Sequence, residues 1–277
     1  MATPGFFVDS AGTNATLNIL LLAEHMGSYA EHKAKVAVLR FLIEQGSLAH
    51  GAVILNEYSA NSSGIRADFA LLQSDNLHGI EIKSEADSLY RLERQLEGYR
   101  RCFSSVTIAL AENHLPKARP ILPAAVGILV IQGNRVTSIR KPKLFRRKKL
   151  DVVRALPKKE LERFLRLNGV HVAGWNRSQL ENATERLSTQ AIYQLSADYL
   201  RRTYGQYTDD LRDCQNAEVS YANIEKLSRF KAKRDRNAML LKKRQEIFTN
   251  WHNLQTDKDE VLSVNQPNHH QHHFEPA

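Results

Sequence analysis

The chain has 277 residues, 42% of them apolar and 25% charged, and a formal net charge of +9. That length suits one large domain or a domain with an appendage, and the composition is that of a globular fold with a sizeable core. The basic balance points to an acidic partner, most often nucleic acid, while Cys102 and Cys214 lie far apart and outside any C-x-x-C pattern. The cysteine usage argues against a thiolate zinc site and a disulfide framework, and it fits a reducing cytosol.

Residues 1–28 read as an N-terminal arm with a short helix around Leu17–Met26. Its apolar run, "LNILLLAEHM", is short and follows no basic residue, so it suits neither a signal peptide nor a membrane span. The expectation is a soluble, cytoplasmic chain with no membrane partner. In "YAEHKAKVAVLRFLIEQG", Val38 and Leu42 fall on one helical stripe, with Val36, Leu39 and Ile43 beside it and Gly46 as the stop. "GAVILNEYSA", "IRADFALLQ" and "LHGIEIKS" read as three strands joined by the turns "NSSG" and "SDN". From Ala86 to Phe103 the pattern is helical, with Leu89, Leu92, Leu96 and Tyr99 on one face and Arg91, Arg94 and Arg101 off it. "SVTIALA", "VGILVIQG" and "RVTSIRK" follow as further strands. This order gives an α/β fold with a central mixed sheet flanked by helices.

At Lys141 the composition shifts. "KPKLFRRKKLDVVRALPKKELERFLRLNG" is dense in Lys and Arg, and from Leu150 the pattern is mostly helical. A second basic stretch, "KLSRFKAKRDRNAMLLKKRQEIF", is a helix candidate. The tail after Trp251 loses periodicity and ends in "NHHQHHFEPA"; it reads as disordered and receives no catalytic role.

The chemistry concentrates in the third strand. Side chains two apart on a strand share a face, roughly 6–7 Å apart, so Glu81 and Lys83 aim at one place while Ile82 points the other way. Through the short "QSDNLH" connection, Asp68 comes beside Glu81. Two adjacent carboxylates repel unless a cation sits between them. Mg²⁺ or Mn²⁺ suits oxygen ligands, and the main-chain carbonyl of Ile82 could add another. Glu31 on the first helix is the first choice for a further acid, and Glu57 on the first strand the alternate. Such an ion activates water and neutralises phosphate charge, with Lys83 placed to position the water or stabilise the transition state. Gln95 and Tyr99, four apart on an inner helical stripe, and Arg66, on the face of Asp68, could hold substrate. Arg146, Arg147, Lys148 and Lys149, in "KLFRRKKL", are candidates for sequence-independent phosphate contact. Each signal has a plainer alternative. Glu-x-Lys pairs occur on exposed strands, a first-turn Glu31 stabilises a helix dipole, and basic runs often coat solvated helices.

"GIRADFALL" followed by "LHGIEIKSEADSLYRLERQLEGYRRCFSSVTIAL" resembles the PD-(D/E)XK nuclease superfamily, the restriction-endonuclease-like fold. More narrowly, it resembles the uncharacterised bacterial sce family of predicted nucleases in that superfamily. The likeness covers about Tyr29 to Gly133 and extends more weakly to about Asp210. It implies that Asp68, Glu81 and Lys83 are the catalytic triad; Ala67 stands where the motif has its first proline. On that basis the chain divides into an arm (1–28), a nuclease-like core (29–140), a basic, mainly helical region (141–250) and a His-rich tail (251–277). The expected function is metal-dependent cleavage of phosphodiesters, in DNA rather than RNA. A homodimer would bring together two active sites to cut both strands. The alternative is a subunit on the same fold that binds nucleic acid without cutting it.

Overall fold

Residues 29–44 form the first helix, α1, and Val38, Leu39 and Leu42 on its apolar stripe are buried. The helix stops where Gly46 takes φ +66°, a left-handed conformation open to glycine, and Ser47 N–H donates to the Leu42 carbonyl. The structure is a computed structural model that describes residues 29–59, 66–213, 219–228, 240–243 and 246–247. The helix expected near Leu17–Met26, the "NSSG" turn, most of the second basic stretch and the His-rich tail lie outside these residues.

Six strands follow: β1 (Val53–Ser59), β2 (Arg66–Gln73), β3 (Asn76–Lys83), β4 (Ser105–Ala111), β5 (Gly127–Gln132) and β6 (Arg135–Arg140). They form one sheet in chain order. β1, β2 and β3 pair antiparallel, β3, β4 and β5 parallel, and β6 returns antiparallel on β5. The sheet is therefore mixed, as the element order requires, because parallel pairing needs a crossover. The crossover from β3 to β4 is α2 (Leu92–Cys102), and that from β4 to β5 contains the short helix α3 (Leu115–Ala118).

α2 begins later than the sequence pattern suggests. Ser84 donates from both its N–H and its hydroxyl to the Asp87 carboxylate, and Ser88 accepts from the N–H of Tyr90. These side-chain bonds give residues 84–91 a turn conformation that competes with helix. α2 lies close on the sheet because β3 carries Gly79. A Cβ there would sit 2.5 Å from the Phe103 ring.

Alternation along the strands builds two apolar layers. On one face Leu55, Ala70, Leu77, Ile108 and Ile128 pack beneath Leu92, Leu96, Tyr99 and Phe103 of α2 and its C-cap. On the other, Ile54, Phe69, Ile80, Ile82 and Leu129 meet the stripe of α1. Each fully buried side chain of this size contributes about 1.5–3 kcal/mol, so both faces of the sheet are firmly covered.

The helical region consists of α4 (Lys149–Ala155), α5 (Lys158–Leu167), α6 (Arg177–Ala183), α7 (Thr189–Asp213) and α8 (Tyr221–Lys226). α4, α5 and α6 form a third cluster around Val153, Leu161, Leu165 and Leu180. The 25-residue α7 joins all three clusters: Ile192 and Leu195 in the helical one, Leu200 and Tyr204 on the α2 face, Leu211 on the α1 face. Described residues up to Ser228 thus share one compact unit, and the packing is continuous across Lys141. Residues 240–243 and 246–247, helical where described, belong to a second unit. Among the described residues no helix is long and apolar enough to cross a membrane.

Candidate active site

The site forms where β2 parts from both of its neighbours. The β1–β2 ladder pairs Asn56 with Phe69 and Tyr58 with Ala67 but skips Glu57 and Asp68 between them. Glu57 stands there at φ +54°, an uncommon conformation for a residue with a side chain. On the other side, the β2–β3 ladder ends at Phe69–Ile80. Beyond it, the N–H of Ile82 donates to Asp68 Oδ2 at 2.7 Å. The N–H and C=O of a strand residue project to the same edge, so the Ile82 carbonyl is turned toward this opening.

Glu81 and Lys83 share a face, as their spacing predicts, and both are buried. Lys83 Nζ donates to Glu81 Oε1 at 2.7 Å, and Gln95 Nε2 donates to the same oxygen at 2.7 Å. Tyr99 donates its hydroxyl to Glu81 Oε2 and lies 2.9 Å from the Arg66 carbonyl. α2 therefore places Gln95 and Tyr99, one turn apart, against the carboxylate of Glu81. Their direct contact is with that carboxylate, which they orient. Burial, with the adjacent negative charge of Glu81, holds the Tyr99 phenol in its neutral form. Gln95 Oε1 is a buried acceptor without a protein partner.

Asp68 is pushed up from its ordinary value of 3.8 to about 7, first by burial and then by the nearby Glu81; Lys35 and the Ile82 N–H pull the other way. Lys35 is the residue that the strand-centred reading missed. It lies on α1 three residues before Val38, on the apolar stripe, and is only 1% exposed. That placement was the available signal. Its Nζ lies 2.7 Å from Glu31, 3.8 Å from Asp68 and 3.9 Å from Glu57. Burial disfavours the ammonium, but Asp68, Glu31 and Glu57 outweigh it and the net shift is upward. Glu31 and Glu57, the two candidates for a further acid, thus meet at one cation.

Arg66 is exposed and reaches Glu57 at 3.5 Å. The segment from Arg146 to Lys149 is at the other end of the sheet, where Phe145 N–H donates to the carbonyl of Ser104, just before β4. Arg147 is buried against the Tyr193 ring, 4.7 Å from its centroid. Lys149 donates to the carbonyls of Glu185 and Leu187. Arg146 and Lys148 alone in this segment of four are exposed.

The carboxylates suit a hard divalent ion. Glu31, Glu57, Asp68 and Glu81 outnumber Lys35, Lys83 and Arg66 by one charge, and the charge of Glu81 adds to burial, the larger cause, in raising the pKa of Asp68. The unpartnered Gln95 Oε1 suits a hydrogen bond from a water beside Glu81. Among the described residues no three His, Cys, Asp or Glu side chains gather in a metal-holding arrangement. Two carboxylates, a main-chain carbonyl and waters are a set that Mg²⁺ accepts. A cleft of about 260 Å³ opens between the start of α1 and the ends of β3, β4 and β5, bordered by Tyr29, Lys33, Ser84, Glu85 and Ile131.

These features define an α/β protein whose six-stranded mixed sheet is flanked by helices and carries a partly buried acidic centre at a splayed strand end. The bacteriophage P4 protein cII family matches residues 25–228, and the chain belongs to that family. It is 30% identical to Protein cII of Enterobacteria phage P4 over 218 residues, 76% of this chain and 81% of that protein. A Silicibacter pomeroyi protein of unknown function superposes with a TM-score of 0.34 at 20% identity, covering 52% of this chain and 95% of its own.

Proposed function

We propose that the chain is a metal-dependent nuclease that hydrolyses phosphodiester bonds in DNA, built on a restriction-endonuclease-like core. The observation that carries this reading is the convergence of Asp68 and Glu81 at the parting of β2 and β3, with Lys83 hydrogen-bonded to Glu81.

Asp68, Glu81 and the Ile82 carbonyl are the groups that would hold Mg²⁺ or Mn²⁺. A bound ion of this kind supplies a nucleophilic water at neutral pH and neutralises charge on phosphate. Lys83 offers an ammonium to the charge that develops on the phosphoryl oxygens. Gln95 and Tyr99 fix the rotamer of Glu81, and the free Gln95 Oε1 can accept from water. Arg66, exposed at the start of β2, is placed to hold a backbone phosphate. The net charge of +9, with Arg146 and Lys148 exposed, supports DNA as the partner.

A second reading, a nucleic-acid-binding subunit that does not cut, is favoured by one observation. Both Glu81 oxygens are already engaged by protein donors, and the residue is 4% exposed. A cleavage assay at low salt separates the two. Supercoiled plasmid, single-stranded DNA and RNA are incubated with Mg²⁺, Mn²⁺ or chelator, and Asp68→Ala and Lys83→Ala run in parallel. Metal-dependent cutting lost in both variants is the expected result. Salt-sensitive binding without cutting by the wild type would transfer the assignment to the second reading.

A further inference from the structure

Lys35 is a buried lysine that the proposed chemistry does not use. An ammonium removed from water must be paired, and Lys35 is paired unequally. Glu31 is within hydrogen-bonding distance at 2.7 Å, whereas Asp68 and Glu57, at 3.8 and 3.9 Å, attract it through charge alone. Glu31 sits one turn earlier on α1, and its side chain is 47% exposed. The strongest bond of Lys35 therefore leads out of the site, and its weaker attractions lead in. Lys83 differs: it is hydrogen-bonded to a buried carboxylate on its own strand.

We propose that Lys35 is the resident cation of this site, neutralising Asp68 and Glu57 until a divalent ion displaces its ammonium toward Glu31 and solvent. A divalent ion held by Asp68 and Glu81 would share the same small space as the ammonium, and like charges so close repel. The flexible four-carbon stem of lysine allows withdrawal without movement of α1. Asp68 then exchanges one cation for another and is never left without one. Ion binding is weakened by the competition, so occupancy depends on the supply of metal. The inference rests on the reading of Asp68 and Glu81 as metal ligands, but not on the cleavage of nucleic acid.

The test compares Lys35→Met with the wild type by calorimetric titration of Mn²⁺, alongside melting in chelator and in Mn²⁺. Displacement predicts that Lys35→Met binds Mn²⁺ about tenfold more tightly or better, within the usual range for coupled sites. It also predicts that Lys35→Met melts lower than wild type in chelator and regains stability in Mn²⁺, an effect absent once Asp68→Asn is added. Equal Mn²⁺ affinity in the two proteins overturns the role of Lys35. Binding by neither overturns the metal reading beneath it. If Lys35→Met does not fold, the ammonium resonance of Lys35 in the wild type decides the question under Mg²⁺ titration. A shift with saturation supports displacement, and an unmoved signal refutes it. None of these readouts involves cutting, so a protein that binds metal without cleaving DNA would refute the proposed activity and leave Lys35 its role.

Discussion

At the C-terminal end of β3, Glu81 and Lys83 pair close to Asp68 and Lys35; toward its N-terminal end, about 10–17 Å back by strand rise, His78 bonds Ser105 near the buried Arg147. Both ends bury charge, but they do so differently. The C-terminal end gathers carboxylates in excess of cations and leaves a buried acceptor open on Gln95. At the N-terminal end, Arg147 rests on Tyr193 and donates to the Asp75 carbonyl, and burial together with Arg147 pulls the His78 pKa down. Each end leaves one buried polar atom without a partner, Gln95 Oε1 at the first and Arg147 Nε at the second. Only the first brings several carboxylates and two lysines to one place, which is what a reactive centre needs, whereas the second holds a single guanidinium against a ring. Density of charge in a sequence is therefore a poorer guide to chemistry than convergence of charged groups in space.

On the proposed function, the largest expected effect that separates the two ends is on cleavage. Lys83→Ala should lower the rate of metal-dependent cutting by about 10²–10³-fold, the usual cost of one lost charge-stabilising donor, with the fold retained by circular dichroism. Undiminished cutting by that variant would break the comparison at once. Arg147→Ala should instead act on stability, by about 2 kcal/mol in denaturant melts, through loss of the ring contact and of the buried hydrogen bond. If Arg147→Ala chiefly weakens DNA binding and barely shifts the melt, the N-terminal end is an interface after all.

Tyr99→Phe sharpens the picture of the acidic end. It removes the tyrosine donor from Glu81 Oε2 and from the Arg66 carbonyl, while Glu81 Oε1 keeps Lys83 and Gln95, and a loss of about 1–3 kcal/mol is expected by chemical denaturation. Asp68 supplies a pH signature. Its folded pKa, about 7, lies above its ordinary value of 3.8, so the native state binds the proton more tightly and stability falls as pH rises from about 4 through 7. Asp68→Asn should therefore gain on the wild type across that window in chelator, and melting curves at a series of pH values read it directly. A constant difference between the two proteins would contradict the assignment. The smallest effect belongs to the basic segment: Arg146→Ala with Lys148→Ala should reduce the salt dependence of DNA binding by about two phosphate contacts at most and leave the melt unchanged.

Much of the sheet was legible because its strands are short, branched and bounded by turn residues. "GILVIQ" and "VILNEYS" carry their own punctuation, and the spacing of Glu81 and Lys83 fixes their common face without reference to the rest of the chain. Asp68 could be placed beside Glu81 because only a tight connection separates the strands. Lys35 was harder, since its meaning depends on α1 crossing the sheet at the parting of β2 and β3, which no local pattern encodes. Gln95 and Tyr99 were found by their stripe, yet their bonds to Glu81 required the tilt of α2 over β3, which Gly79 permits. Arg147 and Lys149 look like their exposed neighbours in sequence. What distinguishes them is the arrival of Tyr193 and the Glu185–Leu187 turn from some forty residues away.

β1 is the first strand of the sheet, and its outer side is already occupied. The hydroxyl of Thr208 on α7 accepts from the N–H of Ile54, and the N–H of Asn56 donates to the Leu227 carbonyl beside its bridge to Ser228. A sheet whose margin is sealed by its own helices cannot be lengthened there by a strand from another molecule. Among the described residues, this leaves helical and loop surfaces, or β6 where Arg135 is exposed, for the association of two copies. The same seal protects the chain at high concentration, because it removes one of the two templates on which ordered aggregates could grow.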